Sequence, residues 1–150
     1  MSVPRSVMKI NKDGVEYISS CDRVNYTIKE LTRAALRDVG KYVCREFKQS
    51  YYSIFKKKSG RVGRYSQYWV RSKQDEPDLQ VGVKPNAFYG LFQEVGSSKT
   101  NKLALLLHAV QDNVAKIIEI ESQYLSSLES EAKALSLIEE DDYIGGGEDE

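Results

Sequence analysis

Apolar and polar positions alternate along this chain in distinct rhythms, and each rhythm predicts an element. Near the N-terminus, Val7-Met8-Lys9-Ile10 and Val15-Glu16-Tyr17-Ile18 flank Asn11-Lys12-Asp13-Gly14. Asp-Gly is a turn signal between alternating segments, so a small hairpin is expected there. From about Asn25 to Lys57, the residues Ile28, Leu31, Ala35, Val39, Val43, Phe47 and Ile54 recur at helical spacing without proline. This predicts one long amphipathic helix, with Gly40 either a soft point or a place of close packing.

The helix is expected to end in Lys56-Lys57-Lys58-Ser59-Gly60-Arg61-Val62-Gly63-Arg64. Cations suit the carbonyl end of a helix and glycine releases the chain, so about 56–66 reads as a basic, flexible, exposed loop. Gln67-Tyr68-Trp69-Val70-Arg71 and Leu79-Gln80-Val81-Gly82-Val83 follow, on either side of Asp75-Glu76-Pro77-Asp78. Their alternation and their Trp, Tyr and Val content predict an antiparallel pair. From about Asn101 to beyond Leu128, Leu103, Leu107, Val110, Val114, Ile117, Tyr124 and Leu128 follow steps of three and four, interrupted by Glu121. They predict a second long helix whose stripe faces the core, and the spacing continues through Leu135 and Ile138 toward a possible subunit seam at 132–138.

Together these elements make an α+β fold, a small antiparallel β-sheet packed against a long helix in the N-terminal half and a long C-terminal helix. A single domain is expected over 1–138. The last twelve residues carry seven acids and Gly145-Gly146-Gly147, the composition of a disordered acidic tail. A chain of 150 residues, 41% hydrophobic and 29% charged, can bury one modest core.

Charge changes the picture more than composition does. Net charge is zero, yet residues 1–74 hold 17 Lys/Arg against 6 Asp/Glu, and residues 75–150 hold 5 against 16. Subunits packing basic side to acidic side would use such sorting, and so would pairing of the two halves within one molecule. No apolar run is long enough to span a membrane, and Met1-Ser2-Val3-Pro4-Arg5 lacks the apolar centre of a secretory signal, so a soluble protein made in the cytoplasm is expected.

Candidate chemistry is sparse. Cys21 and Cys44 are too few and too far apart for a metal site or a disulfide framework. His108 is the single histidine and sits among Leu105, Leu106, Leu107, Ala109 and Val110, where a packing or interface role is expected. Glu94 has no partner carboxylate nearby in sequence and reads as a loop hydrogen bond or a subunit ion pair. With no triad, zinc spacing or phosphate loop, neither an enzyme, a cofactor nor a metal is expected. The basic residues Lys56, Lys57, Lys58, Arg61 and Arg64, with Arg71 and Lys73, interleave with Tyr65, Tyr68 and Trp69. That mixture can contact phosphates and stack on bases, which makes a small nucleic-acid-binding protein using 56–73 the alternative reading.

The stretch Ala87-Phe88-Tyr89-Gly90-Leu91-Phe92-Gln93-Glu94-Val95-Gly96-Ser97-Ser98, feeding an apolar helix at Leu103, carries a more specific signal. It resembles the head-to-tail joining, tail-completion or tail-terminator proteins of siphophages, in which a Tyr-small-x-aromatic-x-Glu-x-Gly-Thr stretch leads into the final helix. Tyr89, Gly90, Phe92, Glu94, Gly96 and Ser97 occupy those places, and the resemblance covers roughly Asn25 to Leu128. Where the family has a Pro-x-x-Pro-Phe-Leu connection, this chain has Ser98-Lys99-Thr100-Asn101-Lys102 without proline. Ser59-Gly60-Arg61 echoes the family's Thr-Gly-x-Leu loosely.

The resemblance implies a virion structural protein at the head–tail interface, assembled in the host bacterial cytoplasm. It implies a homo-oligomeric ring, a hexamer, that completes the tail tube and receives the head connector. The partners would be further copies of the chain, the tail tube protein and the head-completion or connector protein. It places Tyr89, Phe92, Glu94 and Gly96 at the motif and subunit interface, and Lys56, Lys57, Lys58, Arg61 and Arg64 toward phage DNA in the lumen or toward a neighbouring ring.

Overall fold

The computed structural model describes residues 8–19, 21–56, 61–71, 76–130 and 133. Its axis is α1 (Cys21–Ile54), a 34-residue helix about 50 Å long at the standard rise. Leu31, Ala35, Val39, Val43, Phe47 and Tyr51 recur in steps of four on one buried face. The helix starts four residues earlier than the apolar spacing predicts, directly after the N-terminal hairpin, with Asp22 favourably placed in its first turn. It also stops at Ile54, so Lys56 lies beyond the last turn and does not cap it.

The hairpin pairs β1 (Met8–Lys12) with β2 (Val15–Ser19) through Asp13 and Gly14, both at positive φ, 55° and 81°. That is the twist a two-residue turn requires between antiparallel strands. A second antiparallel pair, β3 (Ser66–Arg71) and β4 (Asp78–Val83), lies on α1. The fold thus has two separate two-stranded sheets, of which the second packs on the core. An exposed pair closes its far end, with Arg71 Nη2 2.6 Å from Asp78 Oδ2. The Arg71 hydrogen bond holds the Asp78 carboxyl below the usual carboxylate range, so this contribution is present above the ordinary Asp range and fades as acid protonates the group.

The stretch expected as a flexible loop is structured in part. α2 (Arg61–Arg64) is a single helical turn whose Val62 is 1% exposed, held in the core beside Tyr51 and Ala87. Burial of Val62 and Gly63 pins the segment, and only the stretch 57–60 lies outside the described residues.

The expected long C-terminal helix is divided. Residues 101–104 are not helical; α4 (Leu105–Gln111) and α5 (Val114–Ser126) are separated at Asp112-Asn113, and a 3-10 turn, Ser127–Glu129, follows. The Asn113 side chain causes and holds the break. Its Nδ2 donates to Ala109 O at 3.0 Å, and its Oδ1 accepts from the Tyr42 hydroxyl at 2.8 Å. Asn favours such local competition with helical hydrogen bonds. The break also rotates the stripe, because Ala109, Ile117, Ile120 and Tyr124 pack on α1 while Leu107, Val110 and Val114 point outward. The Tyr124 hydroxyl donates to the Asp38 carboxylate and fixes the far end of α5 on α1. Of the expected seam at 132–138 only Lys133 is described, and the rest of it and the acidic tail 139–150 lie outside the described residues.

Gly40 is a close-packing site. A Cβ there would lie 2.6 Å from Cγ and Cδ2 of Tyr68, which packs flat on the helix. Gly40→Ala should therefore destabilise by about 1–3 kcal/mol in urea unfolding. A merely tolerated helical glycine would gain up to about 1 kcal/mol from alanine, so the sign of the change decides.

Candidate assembly surface

The aromatic motif folds as a compact reversal between β4 and α4. Pro85–Ala87 forms a 3-10 turn, α3 (Gly90–Val95) follows, and Gly96 N–H closes it on Phe92 O at 2.9 Å. Gly96 then adopts φ 88° and a Cβ there would meet Lys102 at 3.1 Å, so the reversal needs glycine. Ser97 and Thr100 bridge the turn, and Leu103 N–H returns to Gln93 O at 2.8 Å.

Glu94 closes this reversal. Its Oε1 accepts the backbone N–H of Leu106 at 2.9 Å, across twelve residues. Ala104, at the N-cap position of α4, has φ 48° and ψ 39° and no side chain to cap with. Glu94 supplies from α3 the acceptor and the negative charge that a helix start favours. The expectation of a loop hydrogen bond at Glu94 matches this geometry.

The remaining motif residues divide by face. Tyr89 is half-buried on the core, and Gly90 is buried where a Cβ would meet Val62 at 3.0 Å. Burial pushes the Tyr51 hydroxyl up, the nearby Gln93 amide works against that rise, and neighbouring Tyr89 and Tyr52 add to it. Phe92 is exposed.

Beside the motif lies an open apolar groove of about 870 Å³. One wall is β4, with Leu79, Val81 and Val83, and the other is Phe88 and Leu91 with Leu107 and Val110 of α4. Phe88 is 68% exposed, Leu91 62%, Val95 66% and Leu107 49%. Sequence spacing contains this surface in Phe88, Leu91, Phe92 and Val95, a helical i, i+3, i+4, i+7 set that was not singled out as a face.

Lys56 and Arg64 are exposed, Arg71 is engaged with Asp78, and Lys57, Lys58 and Lys73 lie outside the described residues, as does the Arg61 side chain. His108 is exposed in α4, which removes a packing role and leaves it near the outer face. Cys21 is exposed and Cys44 buried, both unpaired. Among the described residues no three His, Cys, Asp or Glu cluster as metal ligands, and no helix is long and apolar enough to cross a membrane.

No family model, no curated protein and no solved structure matches this chain. Fold and site together define a small α+β protein with a large apolar groove formed by its aromatic motif.

Replacing Glu94 tests the cap. Glu94→Ala should lower stability by about 1 kcal/mol in chemical unfolding, with α4 amides exchanging faster, while Glu94→Gln, which keeps an acceptor, should lose less. Equal losses for both variants would refute an acceptor role.

Proposed function

We propose that the chain is a structural subunit of a phage head–tail junction, assembling with its own copies into a ring that completes the tail tube and joins it to the head connector. The observation that carries this reading is the contiguous exposed apolar face of Phe88, Leu91, Val95 and Leu107 beside the motif that resembles the joining family. Exposed apolar patches of this kind mark protein–protein contact.

The mechanism is geometric. Glu94 and Gly96 set the angle between α3 and α4, so the apolar residues of both helices form one rigid surface. Subunit contacts through such a surface determine ring closure, and the expected ring is a hexamer. Tail tube and connector proteins would dock on its two faces, with the cations at 56–64 directed to DNA in the lumen or to an adjoining ring.

Light scattering on the purified chain over a wide concentration range, with negative-stain images, tests the proposal. Closed rings are expected, and Leu91→Asp should lower the assembled mass while leaving the unfolding free energy of the monomer within about 0.5 kcal/mol of the parent, because Leu91 is on the surface. A strict monomer that binds DNA in a salt-sensitive way would replace this reading with the nucleic-acid-binding alternative.

A further inference from the structure

The β4 strand leaves one edge of its sheet unpaired. Lys84 N–H donates to Tyr65 O at 2.9 Å, which sets 65/84 as a hydrogen-bonded pair adjoining the register Ser66–Val83. Antiparallel pairs alternate, so Leu79, Val81 and Val83 turn their N–H and C=O groups away from β3. Among the described residues no other backbone hydrogen bond reaches that edge. It opens into the apolar groove, and no Lys, Pro or bulge within β4 blunts it. Natural sheets protect free edges, so an unblunted edge facing an apolar groove is suited to accept another strand.

The N-terminal hairpin has the complementary deficiency. Among the described residues it makes no extended contact with any other element, and an isolated two-stranded hairpin is marginal in water. The register places Ile10 and Val15 on one face, 48% and 69% exposed. Its own β4 is out of reach. The groove begins beside Val39, roughly 27 Å along α1 from Cys21, whereas five-residue strands extend about 17 Å.

From these two observations we infer that the hairpin of one copy adds as strands to the β4 edge of the next, placing Ile10 and Val15 against Leu91 and Leu107. The donor and acceptor surfaces differ, so the contact is head-to-tail and propagates from copy to copy into a ring or an open chain. This inference rests on the self-assembly reading above and specifies its interface.

Two variants of the full chain test it. Val81→Pro removes an outward N–H while sitting where an edge strand accepts proline. Gly14→Val places a β-branched residue at φ 81° and breaks the hairpin away from the core. Each alone should sediment as a monomer, and an equimolar mixture should give a species of twice the monomer mass and nothing larger, since one intact donor meets one intact acceptor. Should either variant fail to fold, amide exchange on the unsubstituted chain answers the same question. The Leu79, Val81 and Val83 amides should slow about tenfold or more as concentration drives assembly. Rings whose β4 amides exchange as in the monomer, or either variant assembling like the parent, would overturn the hairpin contact and leave the ring reading intact. Open chains with protected β4 amides would uphold the contact and sink the ring. A chain that stays monomeric at every concentration overturns both.

Discussion

The β3–β4 pair and the C-terminal helices depend on the buried face of α1. The pair β3–β4 has too few strands to stand in water and is held by Val39, Val43, Phe47 and Tyr51 beneath it. α4 and α5 pack on the same helix, through Ala109 in one core cluster and through Tyr124 against Leu31, Ala34 and Ala35 in another. Successive helical residues differ by about 100° in direction, so a one-residue slip of this face would break both clusters together. Polar contacts fix the register. Tyr42 reaches Asn113 and Asp38 receives the Tyr124 hydroxyl, one at the α4–α5 break and one near the far end of α5.

Periodicity exposes such a helix well because one partner face runs its whole length. Both antiparallel pairs were also legible, since Asp13-Gly14 and the Val-rich alternation of β4 are local signals. The division of the C-terminal helix was not. A stripe in steps of three and four reads straight through Asp112-Asn113, and only Tyr42, 71 positions away, shows why Asn113 stops the ladder. The same stripe misassigned Leu107, Val110 and Val114 to the core. Apolar spacing identifies a face of a helix but not what covers it, and here that face borders the groove. Val62 gave no signal either, because a single apolar residue among cations looks like loop until a core receives it.

The apolar groove and the detached hairpin are two aspects of one imbalance. A 150-residue chain that keeps Phe88, Leu91, Val95 and Leu107 half or more in water forgoes a large part of the burial that is worth about 1.5–3 kcal/mol for each such side chain when complete. The same chain places a hairpin at the end of a 34-residue helix, beyond the reach of its own β4. Both features cost a monomer, and association of the kind proposed above would offset that cost. Charge alone does not require this, since opposite charges sorted along a chain can pair internally, as Arg71 and Asp78 do.

The residues that carry the family resemblance are mostly those that hold shape. Glu94 is occupied by the Leu106 amide, Gly96 by a backbone geometry that excludes a side chain, Gly90 by Val62, and Tyr89 by the core. Among them Phe92 and Ser97 are exposed. The proposed subunit surface is made mainly by positions beside and between the motif residues, Phe88, Leu91 and Val95, with the motif fixing their angle to α4. That division has a physical basis: a turn tolerates few side chains at a positive φ or a buried cap, whereas an apolar contact accepts many of similar volume. The motif is consequently evidence for a reversal that presents a surface, while the partner of that surface is chosen by the residues around it.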